Sequence, residues 1–201
     1  MIRADLHMHT IFSPDSSISP KTLVEQLVLH PSIKAAAVTD HDCVDGIKTT
    51  IQLASAYPDI VIIPGVEITT PKGDILILGA KVLPPKPWDV ESIIDFAQDN
   101  NCVSIAAHPF RELGLGESAP ESGVDAIEVL NGKSSFSANK QAYELAKSAK
   151  LPGVAGSDAH NPSELYSVYT QINASLNLDD ILAAIKKGLV SVYSSSKSIS
   201  F

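Results

Sequence analysis

The sequence predicts an α/β fold, a sheet or barrel of mainly parallel strands wrapped by helices. Two observations lead there. Short apolar segments alternate with amphipathic, helix-patterned ones along the chain, and such alternation joins parallel strands by crossovers. Chemically active residues also recur at the ends of the apolar segments: His7 and His9, His41, Glu67, His108, and Asp158 with His160. In α/β folds the carboxyl ends of parallel strands are where ligands bind, in barrels above all. One rim of one barrel would gather all of these side chains.

Each element has its own local reason. Ile2 to Leu6 reads as a strand running into His7-Met8-His9. Ser19 is an N-cap with Pro20 at the first helical position, and Leu23, Val24, Leu27 and Val28 form the helical stripe behind it. Ala35 to Thr39 is a second strand ending at Asp40-His41-Asp42, with a helix over Val44 to Ala56. Ile60 to Ile63 is a third, with Glu67 just beyond Pro64-Gly65-Val66. Gly73-Asp74 opens the apolar run Ile75 to Leu78, which Gly79 closes. A helix over Asp89 to Asn100 turns Ile93, Ile94, Phe96 and Ala97 inward, and the strand Val103 to Ala107 ends at His108-Pro109.

After a polar loop from Phe110 to Gly123 come a strand over Asp125 to Leu130 and a helix over Ser137 to Lys150, with Ala142, Leu145, Ala146 and Ala149 as its buried face. Pro152 to Gly156 is a strand leading to Ser157-Asp158-Ala159-His160, and Tyr166 to Ile172 alternates like another. A helix over Leu178 to Lys187 stops at Gly188, and Leu189 to Tyr193 is the last strand. The serine-rich tail Ser194 to Phe201 is expected to fray.

The totals bound what such a fold can do. With 201 residues, no fixed repeat and no linker, one domain over residues 1–201 has room for a substantial core. A net charge of -8 lacks the basic stripe of a protein that binds extended nucleic acid. A small phosphorylated substrate remains compatible, because a metal cluster supplies its own positive field. Cys43 and Cys102 have no metal-like spacing, no basic leader precedes an apolar run, and no segment has the apolar length to span a bilayer. The expectation is a cytoplasmic protein with no membrane partner.

His-x-His on an extended segment points both imidazoles the same way, a half-site for a divalent cation. Alone, the pair equally suits a polar strand end facing water. Five of the six histidines lie at strand ends. His30 alone lies elsewhere and reads as a helix-terminal histidine, whose cation would suit the helix dipole. Mixed histidine and carboxylate donors suit Zn, Mn or Fe and are too rich in nitrogen for Ca.

Asp5-Leu6-His7-Met8-His9-Thr10, Thr39-Asp40-His41-Asp42, Gly65-Val66-Glu67, His108-Pro109 and Gly156-Ser157-Asp158-Ala159-His160 stand in an order that resembles the PHP (polymerase and histidinol phosphatase) superfamily. The resemblance covers residues 4 to 160. It implies a distorted seven-stranded (β/α)7 barrel, TIM-like, carrying two or three divalent metals at a phosphoesterase site. By the same resemblance His7, His9, Glu67 and Asp158 surround one metal, and Glu67 bridges to a second held by His108. Asp15, His41 and His160 hold the third. Many members place a histidine a few residues after the Gly-x-Glu motif; Asp74 stands there in this chain and can either ligate or turn into its loop.

Asp40 is the catalytic candidate, orienting a ligand imidazole or shuttling a proton, with a strand-end cap as its alternative role. Arg111 is the substrate-binding candidate, placed to fork onto a phosphate, and Arg3 or Lys133 could take that part instead. Asn131 is a candidate to line the pocket. The resulting expectation is a metal-dependent phosphoesterase that cleaves a small ester (a sugar, amino-alcohol or nucleotide phosphate) with a metal-bound hydroxide. Two rivals stand beside it: an amidohydrolase-type C–N hydrolase, and a non-catalytic, metal-stabilised interaction module.

Overall fold

Strand β1 (Ile2–Asp5) opens the fold. The computed structural model describes residues 1–195, so the tail beyond Ser195 lies outside the described residues. Ser194, expected to fray, instead ends the last strand, opposite Val168. Helix α1 (Pro20–Leu29) starts as its sequence dictates: Ser19 Oγ accepts the Thr22 N–H at 3.0 Å, and Leu23, Val24 and Leu27 are buried.

The end of α1 departs from expectation. His30 caps it, but its Nδ1 accepts the N–H groups of Ser32 (3.2 Å) and Ile33 (2.8 Å). A nitrogen that accepts carries no proton, so His30 works here as a neutral imidazole and not as a cation on the helix dipole. Burial, with Lys34 and Arg3 nearby, holds its pKa below 6.5. The unfolded chain takes up that proton near pH 6.5 and the folded one resists it. The contribution is therefore complete above that pH and is lost as pH falls through the depressed folded value. His30→Asn keeps an acceptor and removes the titration. The Tm advantage of wild type over His30→Asn is expected to shrink between pH 7.5 and 5; a difference independent of pH would refute this role.

The chain continues through β2 (Ala35–Val38), α2 (Asp45–Ala54), β3 (Val61–Thr70), β4 (Gly73–Leu78), α3 (Val90–Asp99) and β5 (Val103–Ala106). Two 3-10 turns follow, then β6 (Ala126–Asn131), α4 (Phe136–Ala149), β7 (Gly153–Gly156), β8 (Val168–Ile172), α5 (Leu178–Lys186) and β9 (Val190–Ser194). The strands form one sheet in the order β7-β6-β5-β4-β3-β2-β1-β8-β9. Among the described residues nine strands stand where the family resemblance implies seven, and two of them, β4 and β8, run against the rest. β4 runs antiparallel to β3 and β5, β8 antiparallel to β1, and β9 antiparallel to β8. The cause at β4 is loop length: only Pro71 and Lys72 separate it from β3, too few for a crossover, so the chain folds back as a hairpin.

That hairpin also extends β3 beyond its expected end at Ile63. Val61 to Pro64 pair with β2, and Gly65 to Thr70 pair with β4. Glu67 thus sits inside a strand, not in the loop after one.

The sheet curls until its ends nearly meet. At the rim, the segment after β7 pairs with the segment after β1: Asp158 N donates to His7 O (2.7 Å) and His9 N to Ala159 O (3.0 Å). Lower down β8 intervenes, and the Thr170 hydroxyl bridges to Ala155, accepting from its N–H and donating to its carbonyl. Inward-facing Leu6, Ala37, Ile63, Leu76 and Ile105 share one buried cluster with Ile181, Leu182 and Ile185 of α5. Leu182 reaches Gly79, beyond the end of β4, so α5 lies against the end of the barrel opposite the rim. Helices α1 and α2 cover β2, and α3 and α4 cover β4 to β6. Among the described residues no helix is long and apolar enough to cross a membrane.

Candidate metal centre

Past Asp5 the backbone stays extended because it is held on both sides. Thr39 N donates to Met8 O and His9 N to Ala159 O. The alternation of an extended chain then sends Met8 into the apolar layer under α1, and His7 and His9 together into the barrel mouth. Both histidines are completely buried. Their Nε2 atoms face each other at 3.1 Å.

Glu67 lies at the centre. Its Oε2 is 3.2 Å from His7 Nε2, 3.3 Å from His9 Nε2 and 3.1 Å from His41 Nδ1; its Oε1 is 2.9 Å from His108 Nε2. Asp158 closes the other side, with Oδ1 3.3 Å from His9 Nε2 and 3.6 Å from His7 Nε2. The outer edge is Asp15, whose Oδ2 is 3.2 Å from His160 Nε2 and 3.6 Å from His41 Nε2. The structure therefore brings together every residue expected to ligate. Asp74 joins them from the rim end of β4, with Oδ2 3.8 Å from His108 Nε2.

The electrostatics are those of imidazoles and carboxylates crowded together out of water. Burial opposes a charged imidazole at His7, but Glu67, Glu128 and Asp158 around it outweigh burial and raise its pKa well above 6.5. Burial likewise opposes charge on Glu67, yet His7 and His108 hold its carboxyl well below the usual range. His41 and His160 go the other way, lowered by burial and by the neighbouring His9. Asp74 is pushed up to about 6 by burial and by the Glu67 charge.

Among the described residues four triads have ligand atoms within 4.8 Å of one another: His9, His41 and His160; His7, His108 and Asp158; His7, His9 and Glu67; and Glu67, Asp74 and His108. Asp74 Oδ1 is buried with no hydrogen-bond partner among the described residues. Convergent imidazoles and carboxylates, one oxygen of them orphaned, fit divalent cations of the Zn, Mn and Fe kind, which compete with protons for the same nitrogen and oxygen atoms.

Asp40 is placed differently from the proton carrier considered for it. It is fully buried, and its carboxylate accepts from Thr10 N (2.6 Å), Thr10 Oγ1 (2.7 Å) and Ser13 Oγ (2.9 Å). Ser13 Oγ is in turn 3.1 Å from His9 Nδ1. A carboxylate so occupied holds the loop that orients His9 and does not face the mouth. Ser13 was invisible to motif reading, since nothing in a Phe-Ser-Pro loop marks it.

Arg111 reaches the centre: Nη1 donates to Asp158 Oδ2 and to Asn131 Oδ1, with the side chain 36% exposed. Lys133 pairs with Glu164 at 3.3 Å, and Glu164 accepts from the His160 N–H. Arg3, the other alternative, stacks on Tyr169 of β8, 5.2 Å from its centroid, away from the rim. Glu128, with Oε1 3.0 Å from His7 Nδ1, belongs to none of the sequence motifs. Its only sequence signal is an acidic residue inside the apolar run Ala126 to Leu130.

Comparison with known proteins follows the same lines. Residues 5–113, more than half the chain, match the PHP domain, and residues 136–190 match the PHP-associated region. A Methanocaldococcus jannaschii protein of uncharacterised function is 30% identical over 142 residues, covering 65% of this chain and 82% of its own. Among solved structures, a two-domain protein from Bacteroides vulgatus containing a predicted PHP-like metal-dependent phosphoesterase superposes with a TM-score of 0.80 at 19% identity. That likeness covers 96% of this chain and 64% of the two-domain protein. An amidohydrolase from Chromobacterium violaceum, solved with bound sulfate and no metal, superposes with a TM-score of 0.66 at 19% identity, over 80% of this chain and 88% of that one. At such identities the structural likenesses speak to the fold, while the sequence match extends through the ligand-bearing segments of β1 to β5. By that match over more than half of its residues, the chain belongs to the PHP family.

Proposed function

We propose that this protein is a metal-dependent phosphoesterase that hydrolyses a small phosphate ester: a sugar, amino-alcohol or nucleotide phosphate. The observation that carries the reading is Glu67, fully buried and central to four imidazoles, with the Arg111 guanidinium one carboxylate away on Asp158. His7, His9, Glu67 and Asp158 would hold one cation, and Glu67, Asp74 and His108 a second. Asp15, His41 and His160 would hold a third. When bound, Zn, Mn or Fe ions supply Lewis acidity toward phosphoryl oxygens and a water acidic enough to attack near neutral pH.

The remaining work falls to the chain. Arg111 offers planar donors to a phosphate oxygen while keeping Asp158 in place. Ser13 and Asp40 keep His9 turned to the centre. The buried donors suit a small ester more than extended nucleic acid, and the net charge of -8 agrees. The likeness to the C. violaceum amidohydrolase supports C–N hydrolysis as the second reading.

The test is metal analysis after loading with Zn, Mn or Fe separately, followed by a screen of phosphate esters beside amides and lactams. Two or three metals per chain, with ester turnover that a chelator abolishes, is the expected result. Turnover of amides alone would favour the second reading. Stoichiometric metal without any turnover would leave a binding module, and no metal would overturn the proposal. Within the same experiment, Asp74→Asn is expected to weaken the second cation by about 10–100-fold while leaving the first in place. Equilibrium dialysis reads this directly, and unchanged stoichiometry and affinity would place Asp74 outside the ligand set.

A further inference from the structure

We propose that Glu128 and Asn131 of β6 are the positioning pair of this site: Glu128 fixes the His7 ring with its proton on Nδ1, leaving Nε2 to ligate, and Asn131 ties that carboxylate to Asp158. The inference rests on His7 being a metal ligand. Both residues lie between the two segments that match the family, 5–113 and 136–190.

The pair exists because β6 is irregular. In a regular strand residues 128 and 131 face opposite sides. Here the register with β7 passes from Glu128 opposite Val154 to Leu130 opposite Ala155, leaving Val129 as an extra residue. A bulge of this kind re-aims the side chains after it, and Asn131 comes to the same side as Glu128. Both are 1% exposed.

The hydrogen bonds then leave no freedom. Glu128 Oε2 accepts from the His108 N–H (2.8 Å) and from Asn131 Nδ2 (3.1 Å). Asn131 Oδ1 accepts the Lys133 N–H (2.9 Å), which can only donate, so Nδ2 is the end that faces the carboxylates; it also donates to Asp158 Oδ2 (3.2 Å). Glu128 Oε1 therefore remains for His7 Nδ1 at 3.0 Å, and a carboxylate there requires the ring proton on Nδ1. Nε2 is the atom turned toward Glu67, His9 and Asp158. Gly156 packs closely against both partners: a Cβ there would stand 2.2 Å from His7 Cβ and 2.8 Å from Glu128 Oε1.

Glu128→Gln tests this by exchanging one acceptor for a donor at equal size. With its oxygen toward the His108 N–H, the new NH2 meets His7 Nδ1 and drives the ring proton to Nε2. Reversed, the NH2 meets the His108 N–H. Zn2+ affinity, measured by chelator competition, is expected to fall by about 10–100-fold. In 1H–15N spectra of the Zn2+-loaded, histidine-labelled wild type, the His7 Nδ1 proton is expected far downfield, the mark of a hydrogen bond to a carboxylate; ligation through Nε2 alone would put the proton on Nδ1 but would not shift it so. Glu128→Gln binding Zn2+ as tightly as wild type would overturn the positioning role while leaving the metal reading intact. Wild type binding no Zn2+ would overturn both. Should the variant not fold, the wild-type spectrum decides alone, since a His7 Nδ1 proton at an ordinary imidazole shift in the loaded protein contradicts the proposal.

Discussion

Glu67→Gln is expected to remove at least one cation per chain and to lower ester turnover by at least about 10²–10³-fold. Four imidazole nitrogens lie within 3.3 Å of its two oxygens. Each needs a lone pair facing inward if the site is to hold metal. A carboxamide has one oxygen and one NH2, so whichever way it turns, a donor confronts imidazoles that should be offering lone pairs. It also removes the charge that now balances His7 and His9 in a fully buried place, where an uncompensated charge is costly. Elemental analysis reads the lost metal, and circular dichroism separates loss of the site from loss of the fold. A folded Glu67→Gln protein with its full metal content and turnover would contradict the central placing of this residue.

Gly156→Ala is expected to be the most damaging single methyl group in the barrel mouth. A Cβ there would stand 2.2 Å from His7 Cβ, 2.7 Å from His7 N and 2.8 Å from Glu128 Oε1. Backbone nitrogen and Cβ cannot step aside, and Glu128 is locked by its own partners, so β1 and β7 must separate at the seam. Overpacking of this severity costs about 3 kcal/mol, readable as a lower urea midpoint, and metal affinity should fall with it because His7 is what moves. Gly116→Ala is the control. Gly116 has a φ of 59° but nothing within 4 Å of a new Cβ, so only the left-handed conformation is penalised, by roughly 1 kcal/mol. Equal stability losses at the two positions would show that close approach is not what Gly156 provides.

What the amino-acid order determined by itself is everything that depends on near neighbours. The Ser19-Pro20 start of α1, the paired display of His7 and His9, and the five helices all follow from capping, proline geometry and periods of two or 3.6 residues. The gathering of His7, His9, Asp15, His41, Glu67, His108, Asp158 and His160 was legible because their motifs resemble one family in one order, and the fold places them at one mouth.

Tertiary structure alone decided the rest. A strand's direction depends on which partner it meets, so β4 and β8 turned antiparallel within a sheet expected to be mainly parallel. Glu67 came to lie within β3 because β4 lengthened it. Asp40 became a bracket for the Thr10–Ser13 loop, and His30 an acceptor, because the donors around each were brought there by folding. Glu128 and Asn131 came to share a side only through a one-residue slip against β7. A hydrogen-bond partner or a slip in register is a property of two segments at once, and neither segment carries it alone.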